Sequence, residues 1–158
     1  KIPTVLEGKT DALLGSAGDQ SAVMEDQGLD VVDLKFADFG VNFLKLGIFV
    51  HEDMIAENPD LIRRFLRATK KSHRALDANY DRALELLVET KPELKLEVAR
   101  KQGDAYYSRM DSPNCEDARM LYNCPEDWEM TVDIMKKYRD LEGEINASGF
   151  YTNEFVPD

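Results

Sequence analysis

The sequence lacks the long apolar run that a membrane-spanning helix needs, which is about 20 residues. Its longest apolar-rich stretch, residues 41–50, is interrupted by Asn42, Lys45 and Gly47. The sequence therefore predicts no insertion into a membrane.

Positively charged residues are also few. The sequence has 20 Lys and Arg residues and 31 Asp and Glu residues, which gives a formal net charge of -11. A field of that sign repels a polyanion such as DNA or RNA, so we expect no nucleic-acid partner. What remains is 158 residues with 43% hydrophobic content, which is enough for a domain with a core of its own.

Catalytic motifs are missing as well. The sequence contains no G-x-S-x-G, no P-loop and no His-Glu-x-x-His, which are the patterns that would carry a nucleophile, a phosphate cradle or a zinc protease centre. Its two histidines, His51 and His73, have no partner at metal-ligand spacing; we expect His51 near a helix N-terminus and His73 on a solvated helix face. The residues therefore predict no catalytic group, no cofactor and no metal, and a chain that is not an enzyme by itself.

Cysteine is limited to Cys115 and Cys124. Structural zinc takes four ligands, so two cysteines without neighbouring histidines make a poor zinc site. An exported protein would join the pair in a disulfide, whereas a cytosolic protein would keep two thiols. We predict the disulfide, and the thiol form remains the alternative.

The printed sequence begins at Lys1 without an initiator Met. We expect that an upstream segment has been removed, as happens to exported proteins. Together with the cysteine pair, this favours a periplasmic or extracellular location.

The first third of the chain alternates short apolar runs with helix signals, which predicts an α/β fold class with short, mostly parallel strands. The predicted strands are residues 12–15, 30–36 and 43–50. Before the first of them, residues 3–7 are predicted to be the end of a helix that stops at Gly8. Between the first two, a helix over residues 20–27 ends at Gly28, since glycine readily adopts the backbone angles that close a helix.

From His51 onward the pattern is almost entirely helical. Asn58 and Pro59 are typical of a helix start, and further helices are predicted over residues 81–89, 93–110 and 126–141. The helix that begins at Pro59 carries a stripe of basic residues, which is interpreted either as a solvated face or as a docking surface for a permease. These residues are Arg63, Arg64, Arg67, Lys70 and Lys71.

Four segments together resemble the sulfonate, nitrate, taurine and thiamine-precursor group of type II periplasmic solute-binding proteins. They are LEGKTDALLG at 6–15, KFADFGVNFLKLGIFV at 35–50, ENPDLIRRFLRAT at 57–69 and YTNEFVPD at 151–158. Their joint spacing is far more specific than any one of them.

The resemblance implies two α/β lobes with a ligand held between them, of which this chain is the C-terminal half. Residues 1–36 would then end the second lobe, residues 37–50 would form the return crossover and hinge, and residues 51–158 would form the helical C-terminal part of the first lobe. It implies the substrate-binding component of an ABC importer, with a small organic solute (a sulfonate, nitrate, a pyrimidine thiamine precursor or similar) and the permease subunits as partners.

The first predicted ligand contact is the turn after residues 12–15, because ligands in open α/β sheets bind where strands lead into helices. Its candidate residues are Ser16, Gly18, Asp19 and Gln20, whose backbone N–H groups and polar side chains suit an anion, an amine or a ring nitrogen. An N-cap role for Asp19 is the alternative.

The second predicted contact is the crossover segment with Asp38, Phe39 and Asn42. Phe39 would stack on a planar ligand and Asn42 would hydrogen-bond from the cleft wall, while Gly40 would permit unusual backbone angles. An ordinary turn with Phe39 in the core is the alternative.

Two other functions stay open. One is a fragment of an enzyme related to the thiamine-pyrimidine synthases, which share the fold and carry their iron motif and active-site histidine in the half not represented here. The other is an independent oligomerising module that pairs with the missing N-terminal half or with a second copy of the chain, because uncovered sheet edges and apolar surface favour association.

Overall fold

The computed structural model describes residues 1–44, 46–115 and 120–158. Backbone contacts divide the chain into two compact units, called unit 1 (Lys1–Phe39 and Asn79–Met110) and unit 2 (Gly40–Ala78 and Asp111–Asp158). The division into residues 1–36, 37–50 and 51–158 implied by the family resemblance stays a prediction.

Helices account for the regular structure of the described residues. Short 3-10 turns also occur at Phe36–Phe39 and Ala147–Phe150. The helices are α1 (Ile2–Leu6), α2 (Gln20–Asp26), α3 (Glu52–Glu57), α4 (Pro59–Ala78), α5 (Tyr80–Thr90), α6 (Leu96–Tyr107) and α7 (Pro125–Tyr138).

The prediction of an α/β fold class with a parallel sheet is wrong for the described part of the chain, which contains no strand. Residues 12–15 and 30–35 are irregular, Phe36 begins a 3-10 turn, and residues 43–50 are irregular apart from residue 45, which lies outside the described residues. A strand needs a neighbouring strand to satisfy its N–H and C=O groups, and the described residues supply none. Side chains expected in a sheet core are therefore open to solvent; Phe49, for example, is 93% exposed.

The helix predictions are confirmed, since each depended on local signals. Pro59 opens α4, and Gly28 follows α2 with φ +88°. The helices predicted over 81–89, 93–110 and 126–141 correspond to α5, α6 and α7. Acidic residues in the first turn of α7 and lysines in its last turn also match the helix dipole.

Unit 1 is built on α6, which packs against both α2 and α5, while α1 contacts α2. Small buried side chains, Ala22 on α2 and Ala99 on α6, allow the helices to approach closely. Met24, Leu84 and Val98 are also buried.

Unit 2 has its core where α4 meets the C-terminal segment. Ile62, Leu66 and Phe155 form one buried cluster, and Met54 and Ile55 of α3 pack against it. The C-terminal segment thus packs on α4 through Phe155, which is 6% exposed.

The basic stripe of α4 is not uniformly solvated. Lys70 is only 7% exposed, and its Nζ donates to the Pro157 carbonyl at 3.1 Å. Arg63 donates to the Glu154 carboxylate at 3.0 Å and lies 4.9 Å from the centroid of the Phe155 ring. These two residues attach the C-terminal segment to α4. The interpretation of the basic stripe as a solvated face is therefore wrong for Lys70.

In the described residues, no helix is both long enough and apolar enough to cross a bilayer.

Candidate functional site

The turn from residue 16 to residue 20, called the 16–20 loop below, has its backbone fixed by the Asp33 carboxylate. The Gly18 N–H donates to Asp33 Oδ2 at 3.0 Å and to Ser21 Oγ at 2.9 Å, and Ser21 Oγ donates to the same Asp33 oxygen at 3.0 Å. Hydrogen bonds to an ionised acceptor are the stronger kind, so this carboxylate sets the shape of the loop.

A second set of contacts ties the 16–20 loop to α6. Gln102 Nε2 donates to Asp19 Oδ1 at 2.8 Å, and Arg109 Nη1 donates to the Ala17 carbonyl at 2.7 Å. Within the loop, Gln20 Nε2 donates to Asp19 Oδ2 at 3.0 Å, and the Ser16 N–H donates to Gln20 Oε1 at 2.7 Å. Asp19 occupies the N-cap position of α2, as the alternative interpretation expected, but its side chain makes no capping hydrogen bond to that helix.

The loop therefore presents a carboxylate between two carboxamides on a half-buried surface. A carboxylate accepts hydrogen bonds, and a carboxamide both donates and accepts them. A small polar or heteroaromatic molecule with hydrogen-bonding edges is chemically suited to exchange with these side-chain pairs.

The crossover candidates lie on exposed segments. Asp38 and Phe39 end the exposed 3-10 turn of unit 1, and the Phe39 ring is 73% exposed, so it is not in a core. Gly40 has φ +75°, as expected of a glycine in a tight turn. Asn42 is exposed and belongs to unit 2. The structure brings Ser16, Gly18, Asp19 and Gln20 together and leaves the other three on exposed segments.

Two hollows in unit 2 were not expected from the sequence. An open groove of about 440 Å³ runs along α7. Half of its lining is charged (Glu126, Glu129, Asp133 and Lys137), and the other half is Gly40, Met130, Ile134 and Tyr138. A smaller hollow of about 260 Å³ lies where Arg63 and Arg67 meet the tail.

The two cysteines lie beside Glu126, which the sequence did not predict. The structure joins Cys115 to Cys124 as a disulfide, with their Cα atoms 6.0 Å apart, and Glu126 Oε2 lies 3.1 Å from Cys124 Sγ and 3.5 Å from Cys115 Sγ. The spacing Cys124-Pro125-Glu126 at a helix start was the available signal. The predicted pairing stays a prediction that a thiol count decides.

The histidines differ in outcome. His51 is the N-cap of α3, where its Nδ1 accepts from the Asp53 N–H at 3.3 Å, so its predicted position near a helix N-terminus is confirmed. His73 is half-buried on α4, and its Nδ1 is hidden without a hydrogen-bond partner in the described residues. The expected solvated position of His73 is wrong.

Comparison with known proteins gives three informative relatives. The riboflavin-binding protein RibY of Chloroflexus aurantiacus is 30% identical over 156 residues, which cover 97% of this chain and 44% of that protein. The 4-amino-5-hydroxymethyl-2-methylpyrimidine phosphate synthase of Legionella pneumophila is 26% identical over 70% of this chain and 33% of its own length. The synthase THI5 of Saccharomyces cerevisiae is 26% identical over 96% of this chain and 45% of its own length.

The chain thus spans less than half the length of these relatives. No solved structure matches it significantly. The model of a family described as NMT1/THI5 like matches residues 1–83, which agrees with the resemblance carried by the four sequence segments. The chain belongs to the NMT1/THI5-like family.

Proposed function

We propose that the chain is the C-terminal half of the substrate-binding component of an ABC importer, and that its 16–20 loop supplies part of the ligand site. The observation that carries this proposal is the Asp19 carboxylate held between the amides of Gln20 and Gln102 at 3.0 and 2.8 Å. A convergent polar group on a fixed loop is what a small-molecule site requires.

The fixed backbone matters for affinity. Because Asp33 and Arg109 hold the loop through Gly18 and Ala17, a ligand does not have to order the chain when it binds, and less binding energy is lost to conformational entropy. The Gln20 and Gln102 side chains are the parts that exchange their bond to Asp19 for a bond to the ligand.

The relatives and Phe39 support the proposal of a flat heteroaromatic ligand. One relative is named for riboflavin and others for a pyrimidine phosphate, and both are flat heteroaromatic molecules with hydrogen-bonding edges. In the whole protein, the exposed Phe39 ring would stack on such a molecule, and Asp38 and Asn42 would contact it from the crossover. Delivery to permease subunits from a periplasmic or extracellular location completes the proposal.

Each unit exposes apolar side chains that the rest of the protein would cover. Val32 and Phe39 of unit 1, and Leu46 and Phe49 of unit 2, are each more than 70% exposed, and large apolar exposure marks a contact surface. The missing N-terminal half fits this role because the relatives are about twice as long as the chain. Light scattering on the isolated chain would instead show a dimer if a second copy covers the surface.

The test starts from the full-length protein that contains this chain. Native mass spectrometry of the protein as purified identifies any retained ligand, and titration with riboflavin and with the hydroxymethylpyrimidine phosphate follows. Asp19→Ala should weaken binding at least about tenfold, since a hydrogen bond to a charged group contributes about 1.5–3 kcal/mol. The matched control Asp30→Asn changes an exposed carboxylate and should bind as the wild type does; unchanged binding by Asp19→Ala would contradict the proposed site.

The second candidate function is a thiamine-pyrimidine synthase. It is favoured by the synthases that match 96% of the chain. An assay for formation of the pyrimidine phosphate by the full-length protein, with iron supplied, separates the two functions. A binding component retains ligand and forms no product, whereas turnover would establish the enzyme.

A further inference from the structure

The contact between Glu126 and the two cysteines is unusual for a disulfide. Glu126 Oε2 lies 3.1 Å from Cys124 Sγ and 3.5 Å from Cys115 Sγ. Sulfurs bonded to each other carry no proton, so they cannot donate to this oxygen. Two thiols would donate to it, and a metal ion would join all three atoms.

The three donor atoms are close enough to bind one ion. Cys115 Sγ, Cys124 Sγ and a Glu126 oxygen all lie within 4.8 Å of one another. Cys124 is buried, Cys115 is half-buried and Glu126 is exposed, so the site has a closed protein side and an open solvent side. Two thiolates and a carboxylate form a ligand set that zinc accepts, with the fourth tetrahedral position left for water or a small molecule.

Hydrogen bonds independent of the disulfide hold the Cys115 side in place. The Asp127 Oδ1 atom accepts from Ser112 Oγ at 2.9 Å and from Asn114 Nδ2 at 2.7 Å. Asp127 stands in the first turn of α7, next to Glu126. The residues before Cys115 therefore stay attached to α7 when the sulfur–sulfur bond opens.

The Cys124 side is held by the C-terminal segment. Asn123 and Asn153 exchange two hydrogen bonds, at 2.8 and 2.9 Å, and Trp128 Nε1 donates to Asn123 Oδ1 at 3.2 Å. Opening the disulfide thus leaves both sulfurs near Glu126, which is the preorganisation that a metal site needs.

The surroundings favour a cation. Glu126 also lines the open groove of about 440 Å³ along α7, together with Glu129 and Asp133. These carboxylates raise the local concentration of cations, and the groove gives an ion and its water a path to the fourth position.

We propose that, in the reduced chain, Cys115, Cys124 and Glu126 form a site for a divalent ion of the zinc class, and that the disulfide is its closed, metal-free form. Reduction by an external dithiol breaks the sulfur–sulfur bond, gives two protein thiols and oxidises the dithiol to its own disulfide. Zinc then replaces the two thiol protons, which are released to water, and Glu126 supplies the third ligand.

The state of this site follows the compartment. In an oxidising compartment the cysteines stay joined and the ion is excluded, whereas in a reducing one the thiols are available to it. The two cysteines therefore form a disulfide in an oxidising compartment, and together with Glu126 they bind a metal ion in a reducing one.

The test compares the oxidised and reduced full chain. Zinc affinity is measured by competition with a chromogenic chelator after reduction with a phosphine, and proton release is followed in weak buffer. Co²⁺ serves as a spectroscopic probe, since its thiolate charge-transfer band reports sulfur ligation. Circular dichroism confirms that the reduced chain keeps its helices.

The variants are Cys115→Ser and Glu126→Gln, with Glu129→Gln as the matched control on the same helix and groove. We expect one zinc ion per reduced chain with release of two protons, no binding by the oxidised chain, and at least about tenfold weaker binding by either test variant. Glu129→Gln removes a charge of the groove but no ligand atom, so it should weaken binding far less than Glu126→Gln does. Equal binding by the oxidised chain, undiminished binding by Glu126→Gln, or unfolding on reduction would overturn the proposal.

Discussion

Asn123 and Asn153 pair through two reciprocal hydrogen bonds: the Asn123 N–H donates to Asn153 Oδ1 at 2.8 Å, and Asn153 Nδ2 donates to the Asn123 carbonyl at 2.9 Å. A side chain 30 positions away in the sequence thus occupies both backbone groups of the residue before Cys124. This pairing sets the entry into α7.

Asn153→Ala should destabilise unit 2 because both backbone groups of Asn123 lose their partner while half-buried. Each unmet group costs about 1–3 kcal/mol, and urea unfolding measures the total. Asn153→Asp keeps the acceptor and loses the donor, so its loss of stability should fall between those of the wild type and Asn153→Ala. If both variants matched the wild type, the pairing would not stabilise the fold.

Gly18→Ala should be more damaging than Gly28→Ala. Both glycines have positive φ, +77° and +88°, but a Cβ at Gly18 would collide with Ala105 Cβ, whereas a Cβ at Gly28 has open space. The backbone strain of about 1–2 kcal/mol is common to both variants, and the collision adds about 1–3 kcal/mol at Gly18 alone. Thermal unfolding of the pair isolates the collision; equal melting temperatures would mean that the loop does not pack on α6 as described.

The free energy of unfolding should depend on pH through Tyr80. The pKa of Tyr80 is raised from 10.0 to about 12, mainly by burial of its phenol and next by its hydrogen bond to Asp104 at 2.9 Å. The folded state therefore holds the phenol proton more tightly than the unfolded state, so this contribution to stability is complete below pH 10.0 and is lost as the pH rises toward 12.

The check is the free energy of unfolding of the wild type against Tyr80→Phe over that pH range. The difference between them should shrink as the pH rises, and Asp104→Asn should lower the pKa of Tyr80, as seen in the ultraviolet absorbance of tyrosinate. Asp133→Asn, an exposed acid of unit 2, is the control that should leave the titration unchanged. A pKa that ignores Asp104→Asn would contradict the assigned hydrogen bond.

The disulfide prediction is tested by counting thiols. The untreated chain should react with no alkylating reagent under denaturing conditions, and the reduced chain should take up two equivalents. Reduction in the presence of a chelator should cost about 2–3 kcal/mol of stability, since the bridge closes a loop between residues nine positions apart. Two reactive thiols in the untreated chain would show that the cysteines are free.

Local signals explain which elements were predictable. Asn58 and Pro59 predicted the start of α4, and Gly28 predicted the end of α2. A proline at the first helical position and a glycine after the last helical residue both act within one turn of helix. The strand prediction for residues 43–50 was wrong for the opposite reason. The apolar composition of this segment is typical of a strand, but a strand forms only when another strand lies beside it.

The candidate site was predictable only in part. The loop residues Ser16, Gly18, Asp19 and Gln20 stood out because small and polar residues preceded a helix. The contacts of Gly18 with Asp33 and of Asp19 with Gln102 join positions 15 and 83 apart, and no spacing rule connects them. Glu126 was missed because a carboxylate near two cysteines becomes a third donor only when the chain folds them together.

By itself, the sequence determined the acidic charge, the helices with their start and stop residues, and the membership in a family, because these depend on composition and on contacts within a few residues. The tertiary structure alone decided that Lys70 is buried against the Pro157 carbonyl, and that the Asp19 side chain accepts from Gln102 rather than from a backbone N–H of its own helix. Side chains far apart in sequence meet only where packing brings their elements together, and the free energy of that packing belongs to the folded chain rather than to any one segment.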